Sequence, residues 1–242
     1  MKGVILAGGS GTRLSPLTRF QNKHLLPVGR QPMIYYAVQK LKEAGIDNQL
    51  LITGRSVSGG FTTMLGSGQE FGVDLTYRIQ ENPGGIAEAL LLAKPFIGKG
   101  EKFVVLLGDN LFSDSLAAHV QQFAASEPGL ASVLLTEVDD PERYGVPELN
   151  AGRIVRIEEK PQVPKSNYCV TGIYMYDSSV FEVITTIQLS ARGELEITDV
   201  NNVYAAQGKL SFDVLTGWWT DAGTFGSMHE AAGKLLKDEE LH

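Results

Sequence analysis

Three short stretches of the chain carry residue types suited to handling phosphate. The first, Leu6-Ala-Gly-Gly-Ser-Gly-Thr-Arg-Leu-Ser-Pro16, follows an apolar run and holds three glycines. Glycines there let the backbone close on an anion, with N–H groups forming a concave cradle. Arg13 adds a guanidinium fork that matches phosphate oxygens, and Lys23 follows ten residues later, ahead of Leu25-Leu-Pro27. The stretch is no P-loop, because the Gly-Lys-Ser/Thr ending is absent. Nor is it a dinucleotide fingerprint: Leu14 stands where the third glycine belongs, and Thr53-Gly54-Arg55 replaces the acidic residue expected after the second strand. A Gly-rich turn with two solvated cations accounts for the same residues. The second stretch is Leu106-Leu-Gly-Asp-Asn110, where an Asp at the end of a buried strand is placed either to bind Mg2+ carrying substrate phosphates or to cap a helix. In the third, Trp218-Trp-Thr-Asp-Ala-Gly-Thr224, Asp221 reads either as a second oxygen ligand for the same ion or as part of a capped turn beneath an aromatic pair.

Such loops need a scaffold that presents them on one side, and the patterning supplies it. Lys2–Ala7, Gln49–Thr53, Asp74–Ile79, Phe103–Leu107, Leu130–Val138, Arg153–Ile157, Val170–Tyr176 and Lys209–Leu215 read as strands. Pro32–Ala44 reads as a helix, with proline at its start, apolar residues at helical spacing and Gly45 as a stop. Ile86–Phe96, Ser113–Ser126, Asp177–Ile184 and Phe225–Leu236 are further helical patterns. Fully apolar strands alternating with helices imply an α/β fold whose sheet is covered on both faces. The closer strand spacing in the later half makes that sheet mixed. In such folds ligands sit at the carboxyl ends of the strands, where the three stretches fall.

Composition narrows the function. Twenty-one Lys+Arg against 28 Asp+Glu leave a net charge of −7, without the basic footprint that nucleic acid demands. An anionic ligand would have to be held by a few placed cations and backbone N–H groups. The 27 glycines lie mostly in short clusters rather than in one linker. One cysteine, Cys169, excludes an internal disulfide and a thiolate metal cage. No apolar run is long enough for a membrane span, and no signal peptide is legible, so the expectation is a cytoplasmic protein without membrane contact.

Seven motifs occur in order: Gly8-Gly-Ser-Gly-Thr-Arg13, Lys23 before Leu-Leu-Pro, Gly-Asp-Asn110, Asp139-Asp-Pro-Glu-Arg-Tyr-Gly145, Glu158-Glu-Lys-Pro161, Ala191-Arg-Gly-Glu-Leu-Glu-Ile-Thr-Asp199 and Thr220-Asp-Ala-Gly-Thr224. From Lys2 to about Thr224 the chain resembles the nucleoside-diphosphate-sugar pyrophosphorylases, and among them the thymidylyltransferases that use glucose 1-phosphate. The resemblance implies a Rossmann-like three-layer αβα nucleotidyltransferase fold with a mixed, mostly parallel sheet. It implies a single domain over residues 1–242, with a nucleotide-binding half over about 1–130 and a sugar-binding half over about 131–242. It also implies residue roles. Leu6, Gly8, Gly11, Thr12, Arg13 and Lys23 would hold the nucleotide, with Gln80 and Gly85 reading the pyrimidine and Asp109 and Asp221 sharing Mg2+. Tyr144, Gly145, Glu159, Lys160, Val170, Gly172 and Trp219 would form the sugar-phosphate pocket. The reaction centre would be Arg13, Lys23, Asp109 and Asp221.

That set suits transfer from dTTP, or from UTP, to a hexose 1-phosphate. The two reactants repel one another, positioning and charge neutralisation dominate, and the attacking phosphate is already ionised at neutral pH. No general base is called for, and His24 is given no proton-transfer role. His24 and Glu88 each stand where the thymidylyltransferases commonly have glutamine, and the resemblance to the longer members leads to the expectation of a short form lacking their C-terminal helical extension. Tyr35, Tyr36 and Val38 read as core, Cys169 as a buried thiol, Glu194 and Glu196 as pocket-shaping or turn residues, and Asp238-Glu-Glu240 as a solvated end. A small homo-oligomer is expected from family habit. The rivals are a non-catalytic nucleotide-sugar sensor, which would not need all four charged residues of the centre, and a dinucleotide-dependent oxidoreductase, which the imperfect fingerprint disfavours.

Overall fold

The structure is a computed structural model that describes residues 1–9, 11–55 and 58–240, without the side chains of Ser58, Glu239 and Glu240. Ser10 of the glycine loop and the acidic side chains of Glu239 and Glu240 therefore lie outside the described residues. The strands are β1 (Lys2–Ala7), β2 (Pro27–Val28), β3 (Gln31–Pro32), β4 (Asn48–Gly54), β5 (Asp74–Gln80), β6 (Lys102–Leu107), β7 (Asn110–Phe112), β8 (Ala131–Glu137), β9 (Gly145–Asn150), β10 (Arg153–Glu159), β11 (Tyr168–Asp177), β12 (Leu210–Val214) and β13 (Trp219–Asp221). The helices are α1 (Met33–Glu43), α2 (Ser58–Leu65), α3 (Ile86–Leu91), α4 (Ala117–Ala124), α5 (Val180–Ile184), α6 (Ile197–Ala206) and α7 (Phe225–Glu240). Seven strands form the main sheet in the order β12-β8-β11-β6-β1-β4-β5. The β1–β4, β4–β5 and β12–β8 pairs are parallel and β11–β8 is antiparallel, so the α/β class with a mixed, mostly parallel sheet holds.

The chain divides into two compact units that interleave along the sequence. One comprises Lys2–Pro83, Leu106–Ala117 and Gly217–His242, and the other Met1, Gly84–Val105 and Ala118–Thr216. In the first unit, β1 is buried from Gly3 onward, where every residue is apolar or small. Helix α1 buries Ile34, Ala37, Val38 and Leu41, and the Leu41 side chain reaches the α-carbon of Gly3 on β1. Gly45 ends the helix at φ +77, where its N–H meets the Lys42 carbonyl and that of Ile46 meets Leu41. A satellite core joins Val28, Met33, Tyr36, Leu111, Ala222 and Ala231, with Trp218 and Leu235 packed against it. That core seats α7 over the β7–β13 ribbon, in which Asp221 pairs with Asn110.

In the second unit, β8 lies between β11 and β12, and the β9–β10 hairpin is backed by α6. Tyr176, Phe103, Phe181 and Tyr204 fill its aromatic core. Asp177 ends β11, and its carboxylate accepts the Ser179 and Gly129 N–H groups, so α5 starts three residues later than its apolar pattern suggests. Helix α4 begins at Ala117 rather than Ser113 because Ser113 and Asp114 bond to Gly217 and Trp218, and α3 is regular only to Leu91, with turns following. Two helices have no counterpart in the sequence reading. Helix α2 carries Gly59, Gly60 and two threonines; α6 has β-branched and Asn residues of weak propensity, and burial of Ile197, Val200 and Tyr204 on one face drives it instead. Among the described residues no helix is long and apolar enough to cross a membrane.

Leu41 is fully buried at the α1–β1 contact. Leu41→Ala should lower unfolding free energy by about 2–5 kcal/mol in urea titrations, the range for removing a packed core leucine.

Candidate active site

The first unit brings the four expected charged residues to one place. The glycine loop leaves the end of β1 and turns through Gly11 at φ +60, a conformation that L side chains rarely adopt. A methyl group on Gly11 would also lie 3.2 Å from Lys23 Cβ, so the loop runs directly beside Lys23. Lys23 opens a 3-10 turn, and its ammonium makes a short ion pair with Asp109 Oδ2. Asp109 sits just beyond β6, where the Gly108 N–H bonds to the Leu6 carbonyl at 2.9 Å, placing the Asp109 loop against the glycine loop's root. The Asp109 carbonyl in turn accepts the Ala222 N–H at 2.8 Å, which draws in Asp221. Arg13 and Asp221 both lie against Gly223: a methyl there would come within 2.7 Å of Arg13 Nη2 and 3.2 Å of Asp221 Oδ2.

The electrostatics follow from burial and pairing. Burial alone would raise the Asp109 carboxyl, but the Lys23 ammonium and hydrogen bonds from Lys23 and Asn110 outweigh it and hold the group well below the usual carboxylate range. Asn110 Nδ2 donates to Asp109 Oδ1 at 3.1 Å, while Asn110 Oδ1 accepts the Trp219 indole N–H at 2.7 Å. Trp219 is thus placed beside the Asp109 loop, in the first unit. Gln80 ends β5 with its Oε1 next to Gly8. His24, immediately after Lys23, is 2% exposed. Burial first, and then the Lys23 ammonium, push its pKa down to about 3 against a smaller upward pull from Asp109. Its Nδ1 lies 2.5 Å from Asn22 Oδ1, and because that oxygen only accepts, the neutral ring carries its proton on Nδ1.

In the second unit, Tyr144, Gly145, Glu159 and Lys160 meet at the end of the β9–β10 hairpin. Glu159 is the cross-strand partner of Gly145, and the Lys160 N–H bonds to the Tyr144 carbonyl at 2.9 Å. Lys160 adopts φ +47, a left-handed conformation that costs a non-glycine residue roughly 1–2 kcal/mol. Glu159 Oε2 accepts the Thr198 hydroxyl at 2.6 Å, and Lys160 Nζ lies 3.6 Å from Glu159 Oε1. Val170 and Gly172 lie on β11, where the pairing with β8 is irregular between Val170 and Tyr174. Gly85 belongs to a loop clasped on Leu195: the Leu195 N–H bonds to the Gly84 carbonyl and the Ala87 N–H to that of Leu195. Glu88 folds back over Gly84. Arg192 pairs with Glu196 at 2.9 Å, and the Asp199 carboxyl is raised by burial and by the neighbouring Glu196 and Glu159.

Sequence reasoning passed over Asn22, the Asn110 amide and Thr198. All three stand inside or beside motifs, but nothing in their type distinguishes a side chain that orients a neighbour from one that faces water. Thr198 lies 39 residues from Glu159, and only the packing of α6 on β10 joins them. Glu194 and Glu196 flank the Leu195 clasp and face Arg192, which suits a pocket-shaping segment. Tyr36, Val38 and Cys169 are buried, while Tyr35 is half-buried with its hydroxyl on the Met64 carbonyl.

Comparisons with known proteins identify the family and the fold. Residues 2–238 match the family model described as nucleotidyl transferase. A glucose-1-phosphate thymidylyltransferase of Neisseria meningitidis serogroup A is 47% identical over 236 residues, covering 96% of this chain and 81% of that protein. A crystal structure of a Bacillus anthracis protein assigned as a glucose-1-phosphate thymidylyltransferase, in complex with a sucrose, superposes with a TM-score of 0.92 at 55% identity, covering 97% of this chain and 94% of the other. A UDP-glucose pyrophosphorylase solved with UDP-glucose gives a TM-score of 0.84 at 27% identity, covering 98% of each chain.

The placement of His24 has a direct spectroscopic consequence. One of the four histidines should keep neutral-ring NMR shifts, with the proton on Nδ1, from pH 8 down to pH 5. Since the unfolded chain takes up a proton near pH 6.5 and folded His24 only near pH 3, its contribution to stability is complete above pH 6.5 and lost as pH falls toward 3.

Proposed function

The chain belongs to the nucleotidyl transferase family, and we propose that it transfers the nucleotidyl group of dTTP to α-D-glucose 1-phosphate. The products are dTDP-glucose and pyrophosphate, formed by in-line displacement at the α-phosphorus with Mg2+ present. The observation that carries the reading is the convergence of Arg13, the Lys23–Asp109 pair and Asp221 around the glycine loop. Two anions approaching each other need counter-charge fixed in advance, and preorganised cations supply it without reorganisation during the reaction. Arg13 and Lys23 meet the triphosphate while backbone N–H groups around Gly8, Gly11 and Thr12, beside Leu6, cradle it. Gln80, beside Gly8, reads the pyrimidine edge. In the second unit Glu159 accepts from sugar hydroxyls, Lys160 meets the sugar phosphate, and Tyr144, Gly145, Val170 and Gly172 wall the pocket; in the first unit Trp219 braces the Asp109 loop through Asn110.

The donors suit Mg2+. Asp221 pairs with Asn110, the residue after Asp109, so both aspartates offer hard carboxylate oxygens at this end of the ribbon, and magnesium uses one or two carboxylates with water and substrate phosphates completing its shell. Among the described residues no three His, Cys, Asp or Glu side chains gather as an all-protein cage would require. When bound, the ion would neutralise charge on the phosphates and fix their orientation. The sugar phosphate attacks as an anion, so no side chain has to remove a proton, consistent with the burial of His24.

Thymine and uracil differ by one methyl group, worth about 1–3 kcal/mol of discrimination at most in an apolar pocket. Together with the likeness to a UDP-glucose pyrophosphorylase, this favours UTP as a second substrate. In a pyrophosphate-release panel, dTTP and UTP should both turn over with glucose 1-phosphate, and comparable rates with ATP or GTP would contradict the base assignment. Lys23→Ala and Asp109→Asn should each lower turnover by about 10²–10³, as removal of one preorganised charge-stabilising group does, with circular dichroism unchanged. A near-normal rate from either folded variant would show the reaction centre to lie elsewhere.

A further inference from the structure

Lys23 is flanked by two buried polar residues that the chemistry above leaves without a part. Asn22 is 4% exposed and its side chain makes three hydrogen bonds. Its Nδ2 donates to the Ala7 carbonyl at 3.1 Å, the last residue of β1 before the glycine loop. Its Oδ1 accepts both the His24 backbone N–H at 2.9 Å and the His24 ring Nδ1–H at 2.5 Å. The opposite edge of the His24 ring lies against Gly108, the residue before Asp109: a methyl on Gly108 would meet His24 Cδ2 at 2.9 Å and Nε2 at 3.3 Å. The two side chains therefore touch the root of the glycine loop, the turn carrying Lys23 and the loop carrying Asp109.

We infer that His24 is a positioning residue for the transfer reaction: clasped by Asn22 and seated beneath Gly108, its ring sets Lys23 opposite Asp109. The inference rests on the reading of Lys23 and Asp109 as the reaction centre. Lys23 lies between Asn22 and His24 in a single turn closed by the Leu25 N–H to Asn22 and Leu26 N–H to Lys23 bonds, both 3.0 Å, so the clasp fixes the backbone from which the ammonium extends. A hydrocarbon of similar size at position 24 would fill the space but donate nothing to Asn22 Oδ1. The Asn22 amide would keep the backbone N–H of residue 24 and its bond to Ala7 but lose the ring donor, which loosens the clasp. A glutamine could donate through its amide and keep the clasp.

The test compares His24→Leu, His24→Gln and Lys23→Ala in steady-state pyrophosphate release, each with its circular dichroism spectrum. A support residue of this kind should act on kcat: His24→Leu should lose tenfold or more, up to about 10²-fold, with KM for both substrates within about threefold of wild type, because misplacement of about 1 Å costs rate rather than ground-state binding. His24→Gln should retain at least a tenth of wild-type kcat. A folded His24→Leu losing less than tenfold in kcat, a loss carried by KM instead, or a His24→Gln below a tenth of wild type overturns the positioning role. Should His24→Leu not fold, His24→Gln decides by the same threshold. Lys23→Ala separates the two levels: if it stays active the reaction centre is wrong, whereas if it is inactive beside a fully active His24→Leu only the positioning role fails.

Discussion

An ammonium and a carboxylate whose residues are 86 positions apart in the chain are held against each other with only 12% and 15% of their side chains exposed. At such depth an unpaired charge is expensive: removing one partner of a buried pair typically costs about 3–5 kcal/mol. The Lys23–Asp109 pair therefore binds two loops together in the free protein, and in the proposed reaction it would offer a cation to the triphosphate and an oxygen ligand to its metal. Neither group needs recruiting from solvent when substrate arrives. The same residues that satisfy each other at rest are those that an anionic substrate and a divalent cation would each claim.

The surrounding architecture can be understood as support for that pair. Parallel strands β1 and β4 hold the glycine loop, and the Leu6 carbonyl takes the Gly108 N–H, which sets the height of Asp109 relative to the loop. The β7–β13 ribbon carries Asp221 alongside, and α7 is packed over that ribbon through Ala231, Leu235 and the Trp218 indole, whose N–H reaches Asp238. In the second unit a similar economy appears. Thr198 orients Glu159, Tyr144 holds the backbone of Lys160 in a left-handed turn, and the Leu195 clasp fixes the loop of Gly85. Charged groups are held by amides, hydroxyls and backbone, whose positions depend little on pH.

Much of this was legible before any coordinate. Continuous apolar runs located β1, β4, β6 and β8 within a residue or two, and the ordered motifs pointed to the family that the comparisons bear out. Short strands were not legible: Asn110–Phe112 and Trp219–Asp221 are three residues each, too brief for any periodicity, so Asp109 and Asp221 read as loop residues with capping alternatives. Helices α2 and α6 were hidden because Gly, Thr, Asn and β-branched residues have poor intrinsic helicity, and tertiary burial overrides that. His24 illustrates a further limit. A lone histidine reads as either structural or solvated, and only the proximity of Gly108 and Asn22 decides for the buried, neutral ring.

The central claim is that Lys23 and Asp109 act as one unit in the transfer step. A double-mutant cycle on turnover, using Lys23→Ala, Asp109→Asn and the combined variant, measures that coupling directly. Residues that share one task lose it together, so the double variant should be no slower than the worse single variant within a factor of about three. Losses that multiply in the double variant would mean that the two side chains serve separate purposes, and the account would fail at its root.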